Sequence, residues 1–555
     1  MTKKTQTKHV DAPLFHADHA RPRTRREFLA QGFSLGSGAV IGSSVFGGLM
    51  LPESAQADLS PDILARIQDI QDCDITGSNQ KIPFIAIDLA GGSNMVGSNV
   101  LVGGAGGQRD FLSTAGYSKQ GLPGDMVPGV NEAGGAQSNA TGTSNGDHTD
   151  TTLGLAFHSD SAFLRGILDK LSPEAAANIN GAVIPARSEN DTGNNPHNPM
   201  YGINLAGAKG ELLALIGSRN SVSGANSMAP AQFINNDVAP TKVDRGSDVT
   251  GLVDVGSFDG LNNDQVVAVM ESVSRISNQK IRNMDPRLGD GLDAALRNKL
   301  ECTYVESANL AFAYPNNSAL DIAIDTDITD IYPLGDNAAG LGDREFQKTA
   351  SVMKLVLDSP NGLFPYAGAG TIAMGGFDYH DGSRSTGETR DFRAGRVMGG
   401  CLEYAHRKQR PLMLYVYSDG SLSSNGMTQD GAGRGKGVWV SDNSGTGAAF
   451  FLVYNPGGRP QLIGADVEEQ ATHQQLGYMR PSGDVETSSS PAASNVNQLV
   501  QMVMLNYMAL HGQTGEFADL FVDNNLVQGL GNTAGQLDNY VAFQPIVDRT
   551  ILNGT

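Results

Sequence analysis

The chain has 555 residues, with 39 Lys and Arg against 59 Asp and Glu, for a formal net charge of −20. Such a surface repels nucleic acid and anionic lipid, so neither is expected as a partner. Three cysteines, Cys73, Cys302 and Cys401, are too few for a disulfide framework in a chain this long; one bridge and one spare thiol are the most they allow, and Cys401 reads as a buried apolar residue on a helix.

The first legible element is an export signal. "TRREFLA" at 24–30 sets Arg25 and Arg26 just ahead of Phe28 and Leu29, in the twin-arginine pattern. A weakly apolar, Gly- and Ser-rich stretch follows over 31–51, and Ala55-Gln56-Ala57 supplies the small residues that signal peptidase reads. Residues 1–57 are therefore expected to be removed, with the Tat translocase and signal peptidase as partners during export. The mature chain then starts near Asp58, in the periplasm or secreted beyond it. An anchoring helix is the other reading of this stretch, but its Gly and Ser content is high for a stable span. No later stretch approaches the roughly 18 consecutive apolar residues a span needs, so none is expected in the mature chain. Removing seven basic and four acidic residues of 1–57 leaves 32 against 55, a net charge near −23. Twin-arginine substrates cross already folded, often with a cofactor, which is a mild argument for a metal or for a fast-folding large domain.

After a lead-in over 58–81, "KIPFIAIDLAGG" contains a run at 84–89 apolar enough to be buried on both faces before it reaches Gly91-Gly92. A short strand without a polar face implies a parallel sheet. Residues 93–152 turn to Gly, Ser, Asn and Thr and read as a long surface excursion. "SAFLRGILDKLSPEAAANI" predicts a helix interrupted at Pro173, and "GAVIPA" at 181–186 a second strand. Helices are predicted at 211–216, over "NNDQVVAVMESVSRISNQKI", over "GLDAALRNKLECTYVESANLAFA" and over "REFQKTASVMKLVL". Strands follow at 370–374, 411–418 and 448–454, with a helix at 391–407 between the first two. The alternation predicts one α/β domain over 82–480, an α/β/α sandwich with a mostly parallel central sheet and a helical insertion or cap at 260–312. Residues 481–555 form a C-terminal linker and a helix, "NVNQLVQMVMLNYMALHG", whose apolar positions recur at helical spacing for packing. The five aspartates of 318–336 lack the central Gly and closing Glu of an EF-hand loop and read as a solvated acidic edge.

Ligands of open parallel sheets collect outside the carboxyl ends of the strands. The first strand ends on Asp88, then Ser93 and Asn94; the second runs into "RSENDTGNNPHN", with Ser188, Thr192 and His197. "GGFDYHDGS" delivers Asp378, His380 and Asp381 after Met374, and the next strand ends on Ser418 and Asp419. Carboxylates and imidazoles gathered this way suit a divalent metal such as Zn, Mn or Mg, and they equally suit a wet loop. Asp88, Asn94, Asp378, His380 and Asp419 are the candidate metal ligands. Ser188, Thr192 and His197 are the candidate catalytic residues, a hydroxyl to attack or to orient water and an imidazole beside it. A metal would also reverse the field that an acidic protein presents to a small anionic ester, the expected substrate class.

"LAGGSN", "LAFHSDSAFLRGI", "GGFDYH" and "LYVYSDGSLSSNG" behind a twin-arginine signal resemble the exported domain-of-unknown-function 1501 family, of the alkaline phosphatase superfamily, over most of 82–464. The resemblance implies an alkaline-phosphatase-like fold and a metal-dependent phosphate or sulfate ester hydrolase. In that family the first strand usually ends Gly-Gly-x-Asp, a later motif is Gly-Trp-Asp-x-His, and the next strand ends Ser-Glu-Phe-Gly-Arg ahead of Thr-Asp-His-Gly. Asp378 and His380 match the Asp-x-His pair, with Phe377 in place of Trp, and Asp419 stands where the family has Glu. Asn94 replaces the first Asp, no Arg follows Asp419 at the expected distance, and Lys436 stands where a His belongs. A protonated amine cannot ligate a metal, so the implied site lacks at least one strong ligand. That leaves a second expectation, a non-catalytic envelope assembly, secretion or surface-binding factor that kept the fold. A carbohydrate-binding module is a third reading, with only one tryptophan, Trp439, to stack on sugars.

Overall fold

The computed structural model describes residues 60–62, 81–132, 141–188, 195–253, 263–282, 317–359, 365–531 and 533–549. The export signal, Cys73, Cys302, Thr192 and the helix predicted at 291–313 lie outside these residues. The strands in chain order are β1 (Phe84–Leu89), β2 (Thr149–Asp150), β3 (Phe157–His158), β4 (Ile179–Pro185), β5 (Leu213–Gly217), β6 (Thr241–Lys242), β7 (Ala367–Met374), β8 (Leu412–Tyr417), β9 (Leu422–Gln429), β10 (Lys436–Asp442) and β11 (Ala448–Tyr454). Seven of them form one sheet in the order β4-β11-β8-β1-β7-β5-β6. Every pairing in it is parallel except the two made by β11.

Strand β1 sits at the centre, between β7 and β8, and all six of its residues are buried. Ile85, Ile87 and Leu89 face one hydrophobic layer and Phe84 and Ala86 the other, which is why "FIAIDL" shows no polar alternation. Helices Ala162–Lys170, Arg344–Leu357 and Ser385–Arg407 cover the first face. Helices Met200–Leu205 and Val496–Leu510 cover the second, so the chain is an α/β protein with a mostly parallel sheet between helical layers. Ser385–Arg407 lies close enough on Ala162–Lys170 that a Cβ on Gly395 would stand 2.2 Å from the Phe163 carbonyl oxygen. Glycine there is what permits the contact.

Three expectations change, and one element is new. Residues 211–216 are not helical: Leu213–Gly217 is a buried strand paired with β7, since a short apolar run fits a buried strand or a buried helix equally well and only the neighbouring strand decides. The 93–152 stretch is not merely a surface excursion, because Met95, Val96, Val100, Leu101 and Val102 are in the core and Tyr117 and Leu122 join them. Asp325, in the acidic stretch, is no solvated edge; it caps the helix Thr326–Ile331 and accepts from Lys354 at 2.7 Å and from Tyr404 at 2.8 Å. The hairpin of β9 and β10, paired outside the main sheet, was not anticipated. Val496–Leu510 packs as expected and Cys401 is buried on its helix. Among the described residues no helix is long and apolar enough to cross a membrane.

Candidate metal centre

The carboxyl ends of β1, β7 and β8 meet around Gly91 and Gly92, whose φ angles of +121° and +111° only glycine adopts without strain. Two side chains from the end of β8 hold this turn. The Gly91 N–H donates to Asp419 Oδ1 at 2.7 Å, and those of Gly92 and Ser93 donate to Ser418 Oγ at 3.2 and 2.8 Å. The Ser418 hydroxyl donates in turn to the Leu89 carbonyl at 2.6 Å. From the other side, the segment after β7 crosses the turn, with the Phe377 N–H donating to the Ala90 carbonyl at 3.1 Å.

Burial alternates along residues 377–380, so neighbouring side chains point opposite ways. Phe377 and Tyr379 are buried, whereas Asp378 and His380 face outward. His380 Nε2 lies 2.6 Å from Asp378 Oδ1 and 3.5 Å from Asp442 Oδ1 at the end of β10. One ligating atom from each of Asp378, His380 and Asp442 lies within 4.8 Å of the others. The β10 strand is registered to this segment by the Gly382 N–H donating to the Trp439 carbonyl at 2.9 Å and the Trp439 N–H to that of Ser383 at 3.0 Å. Two carboxylates and an imidazole are a donor set that could hold a divalent ion such as Zn or Mn. The side chains are 48, 36 and 29% exposed in the order Asp378, His380, Asp442, open enough to leave coordination positions for another ligand. The same three groups also make a surface ion pair whenever His380 is protonated.

The other predicted ligands stand near the rim but outside this trio. Asp88 is fully buried and accepts from the Asn226 and Ser227 N–H groups at 2.8 and 3.0 Å and from Ser227 Oγ at 3.1 Å. Burial, reinforced by the neighbouring Asp419, pushes its pKa up to about 7 against these hydrogen bonds. The Asn94 amide donates to the Val96 carbonyl at 2.7 Å while its oxygen accepts from the Ser98 hydroxyl, so the side chain braces its own turn. Ser188 Oγ lies 3.1 Å from His197 Nε2 and donates to the Ser418 carbonyl at 3.2 Å, which ties this pair to the end of β8. His197 is buried, stacked on Tyr417 with ring centroids 5.8 Å apart, and burial lowers its pKa to about 3, so the ring is neutral at physiological pH. Asp442 was missed in the sequence, although the β-branched and aromatic Val438-Trp439-Val440 signal a strand that ends there.

Lys436 is fully buried and donates to the Asp160 carbonyl at 2.6 Å and to Glu388 at 2.9 Å. Arg384 and Arg165 bind the same Glu388 carboxylate. Burial alone would raise the Glu388 pKa, but Lys436, Arg384 and Arg165 bring it down to about 2. Burial likewise pushes Asp391 up to about 7, against hydrogen bonds from Tyr379 and Asn99. These opposite shifts predict a two-sided pH profile. Asp88 and Asp391 keep protons in the folded chain that the unfolded chain has lost, so stability falls as pH rises from about 4 to about 7. Glu388 acts the other way, and its contribution, present above about 4.5, is lost as pH falls toward 2. Urea unfolding at several pH values should show Asp391→Asn losing less stability than the parent between pH 5 and 7; parallel curves would refute the assignment.

Compared with known proteins, the chain matches no family model, no curated protein and no solved structure.

Proposed function

We propose that this protein is an exported, divalent-cation-dependent hydrolase of small phosphate or sulfate esters, with the cation held by Asp378, His380 and Asp442. The convergence of those three side chains at the carboxyl rim of a parallel sheet is the observation that carries the reading. In a chain of net charge −20, a small anionic ester is repelled unless a cation intervenes. A cation bound there would polarise the ester oxygen and lower the pKa of a bound water. The protein's own contribution is placement. Ser418 and Asp419 hold the glycine turn against which Asp378 rests, and the Ser188 hydroxyl, 3.1 Å from the neutral His197 ring, is anchored on the Ser418 carbonyl at the same rim. The twin-arginine motif supports delivery of the folded protein to the periplasm or beyond.

A second reading, a non-catalytic envelope assembly or surface-binding factor, draws on a different observation. Lys436 and Asn94, standing where the resemblance expects ligands, are both consumed by structural bonds. Metal analysis of protein purified from its native compartment separates the two. Near-stoichiometric Zn or Mn that disappears in the Asp378→Ala, His380→Ala double variant, together with turnover of an aryl phosphate or sulfate, is the expected result. Bound metal without turnover favours the second reading, and less than about a tenth of an equivalent in the parent protein removes the metal site.

A further inference from the structure

The residue between the two metal-site side chains points the other way and is far more constrained than either. Tyr379 is buried, and its hydroxyl reaches three residues in two elements at once. It donates to Asp391 Oδ1 at 2.7 Å, on the helix Ser385–Arg407. It accepts from the Asn94 N–H at 2.8 Å and lies 3.2 Å from Ser93 Oγ, both in the turn after β1. Asp391 is fixed in its turn by Asn99, whose amide donates to Oδ2 at 2.8 Å and to the Asn94 carbonyl at 2.7 Å. A ring alone would fill this space, since Tyr379 already packs on Phe377 with centroids 6.1 Å apart. What the hydroxyl adds is registry. An extended segment can slide or twist by a residue, and any such slip carries Asp378 and His380 off the outward face. Phe377 is packed in the core and bonded through its backbone N–H, but its apolar ring offers no directional bond to fix the register.

We infer that Tyr379 and Asp391 are positioning residues of the metal centre, a buried hydroxyl–carboxylate bond on the inner side of the segment after β7 that holds Asp378 and His380 on its outer side at ligating distance. The inference rests on the proposed metal site, and it extends it by naming what holds the ligands in place. Groups that hydrogen-bond metal ligands directly change affinity by about 10- to 100-fold when removed, and a bond that fixes the backbone carrying the ligands is expected to act on the same scale.

The test uses the mature chain with Tyr379→Phe, Asp391→Ala and Asp391→Asn, with zinc as the probe. Tyr379→Phe is expected to bind zinc about 10- to 100-fold more weakly while its thermal midpoint stays within a few degrees of the parent. Asp391→Ala should behave alike, and Asp391→Asn, which keeps an oxygen to accept the hydroxyl, should recover most of the affinity. If Tyr379→Phe does not accumulate as folded protein, the contrast between the two Asp391 variants decides. A lowered midpoint with unchanged zinc affinity would make the bond merely structural and overturn the inference. A metal-free measurement separates this from failure of the metal site itself. The His380 ring signal in the NMR spectrum, assigned by its loss in His380→Gln, should be single and sharp in the parent and broadened or split in Tyr379→Phe. If the parent binds no zinc, the proposed metal site fails, and unchanged His380 signals in Tyr379→Phe would overturn the positioning role independently.

Discussion

Replacing Glu388 with leucine should destabilise the protein by about 3 to 5 kcal/mol, enough to unfold many domains of ordinary stability. The carboxylate is the shared partner of three cations. Lys436, with no exposed surface, donates to it at 2.9 Å, Arg384 binds it through two nitrogens at 2.9 and 3.0 Å, and Arg165 completes the set. Leucine fills a similar volume but leaves a buried ammonium and guanidinium with fewer compensating oxygens, and a buried charge without its partner is the expensive case. Glu388→Gln, which keeps an acceptor but not the charge, should fall between the parent and leucine. Adding Lys436→Met to Glu388→Leu should recover part of the loss, because both members of one pair are then gone. Urea unfolding of the four proteins gives the answer, and a Glu388→Leu midpoint equal to that of the parent would show that the network does not hold this layer together.

Gly91→Ala should cost about 3 kcal/mol and at the same time displace two ligands of the proposed metal site, Asp378 and His380. Its φ of +121° is one that a residue with a side chain reaches only with strain of about 1 to 3 kcal/mol. A Cβ there would also stand 2.5 Å from the Asp378 backbone nitrogen, which is main chain and cannot swing aside. Relief requires the 377–380 segment to move off the turn, and with it Asp378 and His380. Two neighbours calibrate the effect. Gly92 shares the strained angle, but its Cβ would meet nothing closer than 3.4 Å, so Gly92→Ala should show the strain alone. A Cβ on Gly375 would meet nothing within 4 Å, so Gly375→Ala should be neutral to within about 0.5 kcal/mol. Unfolding and zinc titration of the three variants test this ranking. Equal stability and equal zinc affinity for Gly91→Ala and Gly375→Ala would remove the claim that the crossing positions the site.

The parts of this architecture legible in the sequence are those where local pattern and burial coincide. "FIAIDL", "AAFFLVY" and "REFQKTASVMKLVL" state their type outright, the first two by continuous apolar runs and the third by helical spacing. Residues 211–216 misread because an apolar run that short has no period of its own, and pairing with β7 settles what it becomes. The 93–102 segment misread for a compositional reason. Gly, Ser and Asn look solvated, yet here they allow the chain to pack tightly against the sheet while side-chain amides such as those of Asn94 and Asn99 satisfy the buried backbone.

The candidate site divides in the same way. That Asp378 and His380 lie beyond a strand end, two residues apart, is legible in the sequence; that both face the same side is not, because it depends on the backbone the folded segment adopts. The acidity of the chain, which disfavours a polyanionic ligand unless a cation intervenes, is legible in the sequence too. Which distant residue joins them was decided only by folding: Asp442 arrives on a hairpin outside the main sheet, whereas Asp88 and Asn94, as near in sequence to a strand end, turn to backbone partners instead. Sequence sets which groups are available at each strand end, but long-range hydrogen bonding and packing choose which of them meet, because each buried polar group goes to whichever partner the assembled backbone puts within reach.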